Sequence, residues 1–286
     1  MIVKTKVKEA KEIISAWKAE AGGSPLGFVP TMGFLHEGHL ELIKTARADN
    51  AKVAVSIFVN PTQFGPNEDF ESYPRDLDRD LELARMAGAD LVFAPDPAEM
   101  YGPAPFVTMK AAARTDVLCG RSRPGHFDGV VTVLTKLFHI MQPDKAYFGK
   151  KDAQQVAVIK GLVDEFFFPL EIIPVETVRE EDGLAKSSRN VFLTAEERLE
   201  APKIYKSLQA GRLFSEKDHP SAEKIRAYIS ASLQDIKGAE IDYIEVLQYP
   251  ELIPATDQSR EMIAAAAVKF SGARLIDNLI WTRSEK

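Results

Sequence analysis

Phe28-Val29-Pro30-Thr31-Met32-Gly33-Phe34-Leu35-His36-Glu37-Gly38-His39-Leu40 reads as the end of a buried strand, a glycine-containing turn and the first turn of a helix. The helix runs on through Leu42, Ile43 and Ala46, whose spacing gives one apolar stripe. His36 and His39 stand three positions apart, and on a helix such positions share a face, so both imidazoles can address one object. Helix N-termini carry unpaired N–H groups and partial positive charge, which favour phosphate. With 5 histidines and 17 glycines in 286 residues, a His-x-Gly-His arises by chance at roughly half a per cent. The pattern points to a site for a nucleotide's phosphates. The competing account is two histidines that cap a turn by ordinary hydrogen bonds.

Strand and helix patterns alternate through the first part of the chain. Lys8 to Glu20 has a helical period in Ala10, Ile13, Ile14 and Trp17, ended by Gly22-Gly23-Ser24-Pro25. Leu26 to Val29 is a short strand, Leu40 to Asp49 a helix, and Lys52 to Val59 a second strand. That strand runs into the turn Asn60-Pro61-Thr62-Gln63-Phe64-Gly65. Asp76 to Ala87 is a helix, Leu91 to Ala94 a third strand, and Pro95 to Pro105 a proline-rich loop. Gly125-His126-Phe127-Asp128-Gly129 opens a helix from Val130 to Met141. Ala146 to Phe148 is a fourth strand, leading through Gly149-Lys150-Lys151-Asp152 into a helix that ends near Glu165, and Leu170 to Thr177 is a fifth. This alternation predicts an α/β fold: a parallel sheet with right-handed crossovers, helices on both faces, and ligands beyond the strands' C-terminal ends.

After Val178 the texture changes. Arg179 to Asn190 is a charged loop, Ala195 to Phe214 and Ala222 to Leu233 are helices, and Ile241 to Leu247, Met262 to Phe270 and Arg274 to Ile280 are strand-like. Helices followed by strands predict a smaller α+β domain, so residues 1–178 and 179–286 are read as two domains.

Composition narrows the function. Lys plus Arg is 36 against 42 for Asp plus Glu, a net charge of −6, which is not the basic field that nucleic-acid binding needs. Cys119 is the single cysteine, so an intrachain disulfide is ruled out and a cysteine metal site disfavoured. Neither an apolar signal core at the start nor an apolar run of ~20 residues is present, so a cytoplasmic protein without membrane spans is expected.

Two further clusters suit an anionic ligand. Lys186, Ser187, Ser188 and Arg189, in a glycine-flanked loop read as flexible, offer charge and hydroxyls to phosphate oxygens. At the fourth strand's end, Gly149 lets a ligand approach the backbone and Lys151 supplies a point charge. Gln63 and Gln155 are neutral amides that both donate and accept, suited to a substrate with hydroxyl and carboxylate groups.

Together these pieces resemble the pantothenate synthetase family. The matching stretches are Pro30-Thr31-Met32-Gly33 with His36-x-Gly38-His39, Phe58-Val59-Asn60-Pro61-x-Gln63-Phe64, Tyr73-Pro74-Arg75 and Arg123-Pro124-Gly125-His126-Phe127-x-Gly129-Val130. Phe148-Gly149-x-Lys151-Asp152-x-Gln154-Gln155 and Arg179-x-x-Asp182-Gly183-Leu184-Ala185-x-Ser187-Ser188-Arg189-Asn190 complete the series, in family order. The resemblance implies a Rossmann-like sheet of the nucleotidyltransferase superfamily and ATP-dependent condensation of pantoate with β-alanine through a pantoyl adenylate. It also implies Mg²⁺ and a homodimer. On the matching positions His39 takes the active-site place, with His36 beside it and Lys151 as a further catalytic cation. Met32, Gly33, Phe34, Leu35, His36, Glu37, Gly38 and His39 would hold ATP, with Gly149, Lys150, Lys151, Asp152, Val178, Lys186, Ser187, Ser188 and Arg189. Gln63 and Gln155 would hold pantoate, Gln63 would also serve β-alanine, and Asp78 and Asp80 are candidates for the Mg²⁺ environment. The Lys186–Arg189 loop would close over ATP.

Three positions depart from the family's pattern. Lys186 stands where methionine or another apolar residue is usual, Lys150 replaces a common glutamate and His139 a common asparagine. The competing reaction is an adenylyltransferase that moves AMP onto a phosphorylated acceptor. It would share the two histidines but would not explain the glutamine pair.

Overall fold

The computed structural model describes residues 1–20, 25–66, 68–217 and 219–283; the turn expected at Gly22-Gly23-Ser24 lies outside them. The strand that opens the decisive stretch, β2 (Leu26–Thr31), lies inside a six-stranded sheet between β3 (Lys52–Ile57) and β5 (Lys145–Gly149). Beyond β3 come β4 (Leu91–Phe93) and then β1 (Ile2–Lys4) at one edge; beyond β5 comes β6 (Glu171–Val175) at the other. All the pairings are parallel. The chain builds from β2 towards one edge and then returns to place β5 on the other side of β2. The strand order therefore reverses between β2 and β5, the switch point at whose C-terminal side open α/β sheets bind ligands.

Helix α1 (Val7–Ala19) covers Ala10, Ile14 and Trp17, and α2 (Glu37–Asp49) turns Leu42, Ile43 and Ala46 inward. The α2 residues meet Val29, Leu35, Val53, Val55 and Val92, which are fully buried. Each such side chain contributes about 1.5–3 kcal/mol on burial. The helices that follow up to β6 are α3 (Leu77–Ala87), α4 (Pro97–Tyr101), α5 (Leu118–Ser122), α6 (His126–Met141) and α7 (Ala153–Glu165). α4 forms inside the stretch expected as loop: Asp96 caps it by accepting from Glu99 N, and Pro97 opens it, a position where proline's missing N–H costs nothing.

The chain divides into two compact units. The first is residues 1–112, 123–150 and 158–176, which hold the parallel sheet; the second is 113–122, 151–157 and 177–286. The second contains α8 (Ala195–Glu200), α9 (Lys203–Ser215), α10 (Ala222–Leu233) and an antiparallel sheet of β7 (Glu240–Gln248), β8 (Glu261–Lys269) and β9 (Arg274–Thr282) in that order. The single helix expected over 195–214 is two, because Pro202 lacks the N–H needed to continue α8. β8 is buried from Met262 to Val268. One face, Met262, Ala264, Ala266 and Val268, packs with Ile204, Leu208, Ile225 and Ile229. The other, Ile263 and Ala265, packs with Leu118, Ala153 and Ala157. This is why segments 113–122 and 151–157 belong to the second unit: they cover the second face of its sheet.

Candidate active site

In the first unit, β2 ends on Thr31, whose hydroxyl donates to Ser56 O (2.7 Å) and accepts from Gly33 N (3.2 Å). The chain then turns through Gly33 (φ +83°) and Phe34 (φ +50°), both left-handed. For phenylalanine that conformation costs about 1–2 kcal/mol. Asp80, on α3, offsets it: Oδ2 accepts from Phe34 N and Oδ1 from Leu35 N, each at 2.7 Å. The carboxyl is 1% exposed. Burial pushes its pKa up, and the bonds from Leu35 and Phe34 oppose that shift. The Arg79 guanidinium lies 5.2 Å from the Phe34 ring centre.

The histidines follow directly. His36 is the N-cap of α2, and its Nδ1 accepts from Gly38 N at 3.1 Å. His39 reaches back, its Nδ1 accepting from His36 N at 3.3 Å. This is a capping box built from two imidazoles, their ring centres 4.0 Å apart. Capping and phosphate chemistry, set against each other by the sequence, are here compatible. Because both Nδ1 atoms accept, the proton of each neutral ring sits on Nε2, and each imidazole is a donor at its far edge. Such donors at the positive end of a helix suit phosphoryl oxygens.

Gln63 lies beside Met32. Its Nε2 donates to Met32 Sδ (3.2 Å) and its Oε1 accepts from Asn60 Nδ2 (3.0 Å), and the residue is 8% exposed. Gly149 ends β5, the neighbour of β2. Lys150, expected to face phosphate, forms a close ion pair with Glu176. Asp78 is exposed on the first turn of α3, whereas Asp80, Ala84 and Ala87 form its buried stripe. The structure thus gives Asp80 the β2–α2 turn as its partner.

In the second unit, Lys151 Nζ lies 3.8 Å from Asp152 Oδ2, and Lys151 O accepts from Asn278 Nδ2 at 2.8 Å. Gln155 is half-buried on α7. Its neighbour Gln154 is buried and donates to Arg114 O and Val117 O, each 2.8 Å away. The loop that carries Lys186 to Arg189 has its own hydrogen bonds. Arg179 and Ala185 form an antiparallel bridge, and Glu180 N donates to Leu184 O and Lys186 N to Val178 O. Arg179 grips Asp277 with both terminal nitrogens (2.6 and 2.9 Å) and stacks 3.5 Å from the centre of Tyr205. Within the loop, Ser187 Oγ accepts from Arg189 N, Ser188 is buried, and Lys186 pairs with Glu180 at 2.8 Å. The hydrogen bond from Arg198 holds Asp182 below the usual carboxylate range.

Sequence reasoning missed the residues that hold these groups. Asp80 was read from sequence only as a metal candidate; the i, i+4, i+7 stripe that it shares with the buried Ala84 and Ala87 is the signal that could have marked it as a positioning residue. Nothing local marks the bonds by which Arg123 and His126 reach Gln63 O, 60 and 63 positions away, or by which Glu68 holds Arg123, 55 positions away.

A family model described as pantoate-beta-alanine ligase matches residues 2–280. The pantothenate synthetase of Bacillus pumilus (strain SAFR-032) is 56% identical over 281 residues, covering 98% of this chain and 96% of that protein. That of Bacillus subtilis (strain 168) is 55% identical over 276 residues, covering 96% of each. Among solved structures, pantothenate synthetase from Thermus thermophilus superposes with a TM-score of 0.90 at 42% identity, covering 98% of this chain and 99% of that one. Pantoate-beta-alanine ligase from Francisella tularensis, complexed with beta-gamma ATP and beta-alanine, superposes with a TM-score of 0.78 at 35% identity, covering 98% and 97%. With the switch-point turn and the paired histidines in place, the chain belongs to the pantoate–β-alanine ligase family.

Proposed function

We propose that the chain condenses pantoate with β-alanine at the expense of ATP, giving pantothenate, AMP and pyrophosphate. The observation that carries this is the near-full-length likeness to pantothenate synthetases and pantoate-beta-alanine ligases, one of them complexed with beta-gamma ATP and beta-alanine. A pantoate carboxylate oxygen attacks the α-phosphorus of ATP; the bond to the β-phosphate oxygen breaks and pyrophosphate leaves. The β-alanine amine then attacks the acyl carbon of the adenylate, loses a proton, and AMP departs with the acyl C–O electrons. Both steps develop charge on phosphoryl oxygens, where positioned donors matter most.

In this reading the Nε2–H of His39, with His36 beside it, donates to those oxygens, and Lys151 adds a cation. Met32 to His39, Gly149, Lys150, Lys151, Asp152, Val178 and Lys186 to Arg189 are the ATP contacts. Gln63 and Gln155 take pantoate, and Gln63 also β-alanine. Among the described residues, no three His, Cys, Asp or Glu side chains are grouped to hold a metal. In this proposal Mg²⁺ would be carried by the phosphates and its own waters, with exposed Asp78 within the metal's outer environment; once bound, the ion would neutralise phosphoryl charge. The two-domain division at residue 178, a homodimer and a cytoplasmic location belong to the same proposal. No helix among the described residues is long and apolar enough to cross a membrane.

Isotope exchange tests the first step. Labelled pyrophosphate should enter ATP with pantoate alone, without β-alanine. Exchange that requires β-alanine, or none with either, would exclude a free-standing adenylate step.

A further inference from the structure

The stretch Arg123-Pro124-Gly125-His126-Phe127-Asp128-Gly129 has no part in the roles assigned so far, yet its groups converge on the Thr62–Gln63 peptide. His126 Nδ1 lies 2.8 Å from Gln63 O. A carbonyl can only accept, so Nδ1 carries the proton, and the neutral ring presents Nε2 as an acceptor. Arg123 fills that place, its terminal nitrogen 3.1 Å from Nε2, while its other terminal nitrogen reaches Gln63 O at 3.4 Å. Glu68 fixes Arg123 through two oxygens, at 2.8 and 2.5 Å. On the next turn Gly129 backs onto the same peptide: a Cβ there would stand 2.4 Å from Thr62 O and 2.6 Å from Gln63 N. Only glycine permits that approach.

The side-chain amide of Gln63 is oriented as firmly as its backbone. Asn60 Oδ1 accepts from Tyr101 Oη (2.6 Å) and Thr62 Oγ1 (2.9 Å), so Asn60 Nδ2 is the donor, to Gly129 O (3.2 Å) and to Gln63 Oε1 (3.0 Å). Gln63 must then turn its NH₂ towards Met32, where it meets a thioether. Sulfur is a weak acceptor, which a carboxylate or hydroxyl oxygen readily displaces.

We infer that Arg123 and His126, with Gly129, are positioning residues that aim the Gln63 amide as a donor at an oxygen of the pantoate substrate. This rests on Gln63 being an acid-binding group, as proposed above. The experiment is steady-state kinetics with pantoate, β-alanine and Mg-ATP varied in turn, alongside thermal unfolding. The variants are His126→Ala, His126→Asn, Arg123→Lys and Gly129→Ala, with Gln63→Ala as reference. A misplacement near an ångström can cost on the order of a hundredfold, so His126→Ala and Gly129→Ala should raise the pantoate KM by about tenfold or more. The KM for ATP should stay within about twofold, since no phosphate contact is touched. His126→Asn, whose amide nitrogen occupies the Nδ1 place, should restore most of the loss. Arg123→Lys keeps the charge but not the fork; it should reproduce the pantoate-selective defect and serves if His126→Ala does not fold. Equal rises for all three substrates, a rise for β-alanine alone, or no rise in either His126→Ala or Arg123→Lys would overturn the inference. Gln63→Ala separates the two layers. If it leaves the pantoate KM unchanged, the reading of Gln63 fails and the inference with it; if it raises that KM while the positioning variants do not, the inference alone fails.

Discussion

The His36 and His39 rings lie 4.0 Å apart, and each gives its Nδ1 to a backbone N–H of the same helix start. One nitrogen of each ring is thereby committed to structure and the other holds the proton, so the cap fixes the tautomer that the chemistry needs. The two roles separate on mutation. Either cap is worth about 1 kcal/mol, so His36→Ala and His39→Ala should lower the thermal midpoint comparably. His39→Ala should in addition cut kcat by at least ~10²-fold, the scale of one preorganised donor. A loss below threefold in kcat with the fold intact would make His39 a cap alone.

Asp80 is expected to act on the nucleotide through the turn that it holds. Asp80→Asn keeps the shape but turns one acceptor into a donor facing a backbone N–H. Leaving a buried group unsatisfied costs about 1–3 kcal/mol. The variant should lose that much stability in denaturant titration and show a raised KM for ATP. A normal KM for ATP in a destabilised protein would confine Asp80 to folding.

Glu68 gives a pH dependence of definite sign. Burial pushes its pKa up, but the Arg123 pair outweighs that and holds it below the ordinary 4.5. A carboxyl depressed in the folded state adds stability above its unfolded pKa and loses it as pH falls through the folded value. The stability gap between wild type and Glu68→Gln should therefore be widest near neutrality and close progressively below 4.5. A gap that widens on acidification would contradict the pairing.

Lys186 and Lys150 are the departures nearest the expected phosphate contacts, and both pair with carboxylates, Glu180 and Glu176. Partly exposed pairs contribute about 0–1 kcal/mol. The ATP contact proposed for Lys186 is then one that its backbone can make: Lys186→Met should change the KM for ATP by less than about threefold, and a tenfold change would give its ammonium a direct part in binding triphosphate. His139, the third departure, is exposed on α6 with its ring 5.3 Å from that of Phe168.

Where the sequence could be read, one face of an element stated its own environment. The β2 turn and α2 were legible because apolar strand, glycine and helical stripe succeed one another, and β8 because Met262 to Val268 is apolar throughout. β1 was not: Ile2 and Val3 are 41% and 38% exposed on a three-residue edge strand, too short for a period. Nor could the chain announce that Leu118 and Ala153 cover the far face of β8, since that contact joins residues more than a hundred positions apart. The histidines, lysine and glutamines of the candidate site were visible as residue types. What aims Gln63 was not: Arg123 and His126 reach its carbonyl from 60 and 63 positions away, and a hydrogen bond across the fold leaves no local pattern.

The central claim is tested most directly by mass-spectrometric product analysis with pantoate, β-alanine and Mg-ATP. Pantothenate, AMP and pyrophosphate should appear in equal amounts, and pantothenate should be absent when any one substrate is withheld. Pyrophosphate release with AMP retained on a phosphorylated acceptor such as phosphopantetheine, and no pantothenate from the complete mixture, would contradict the account.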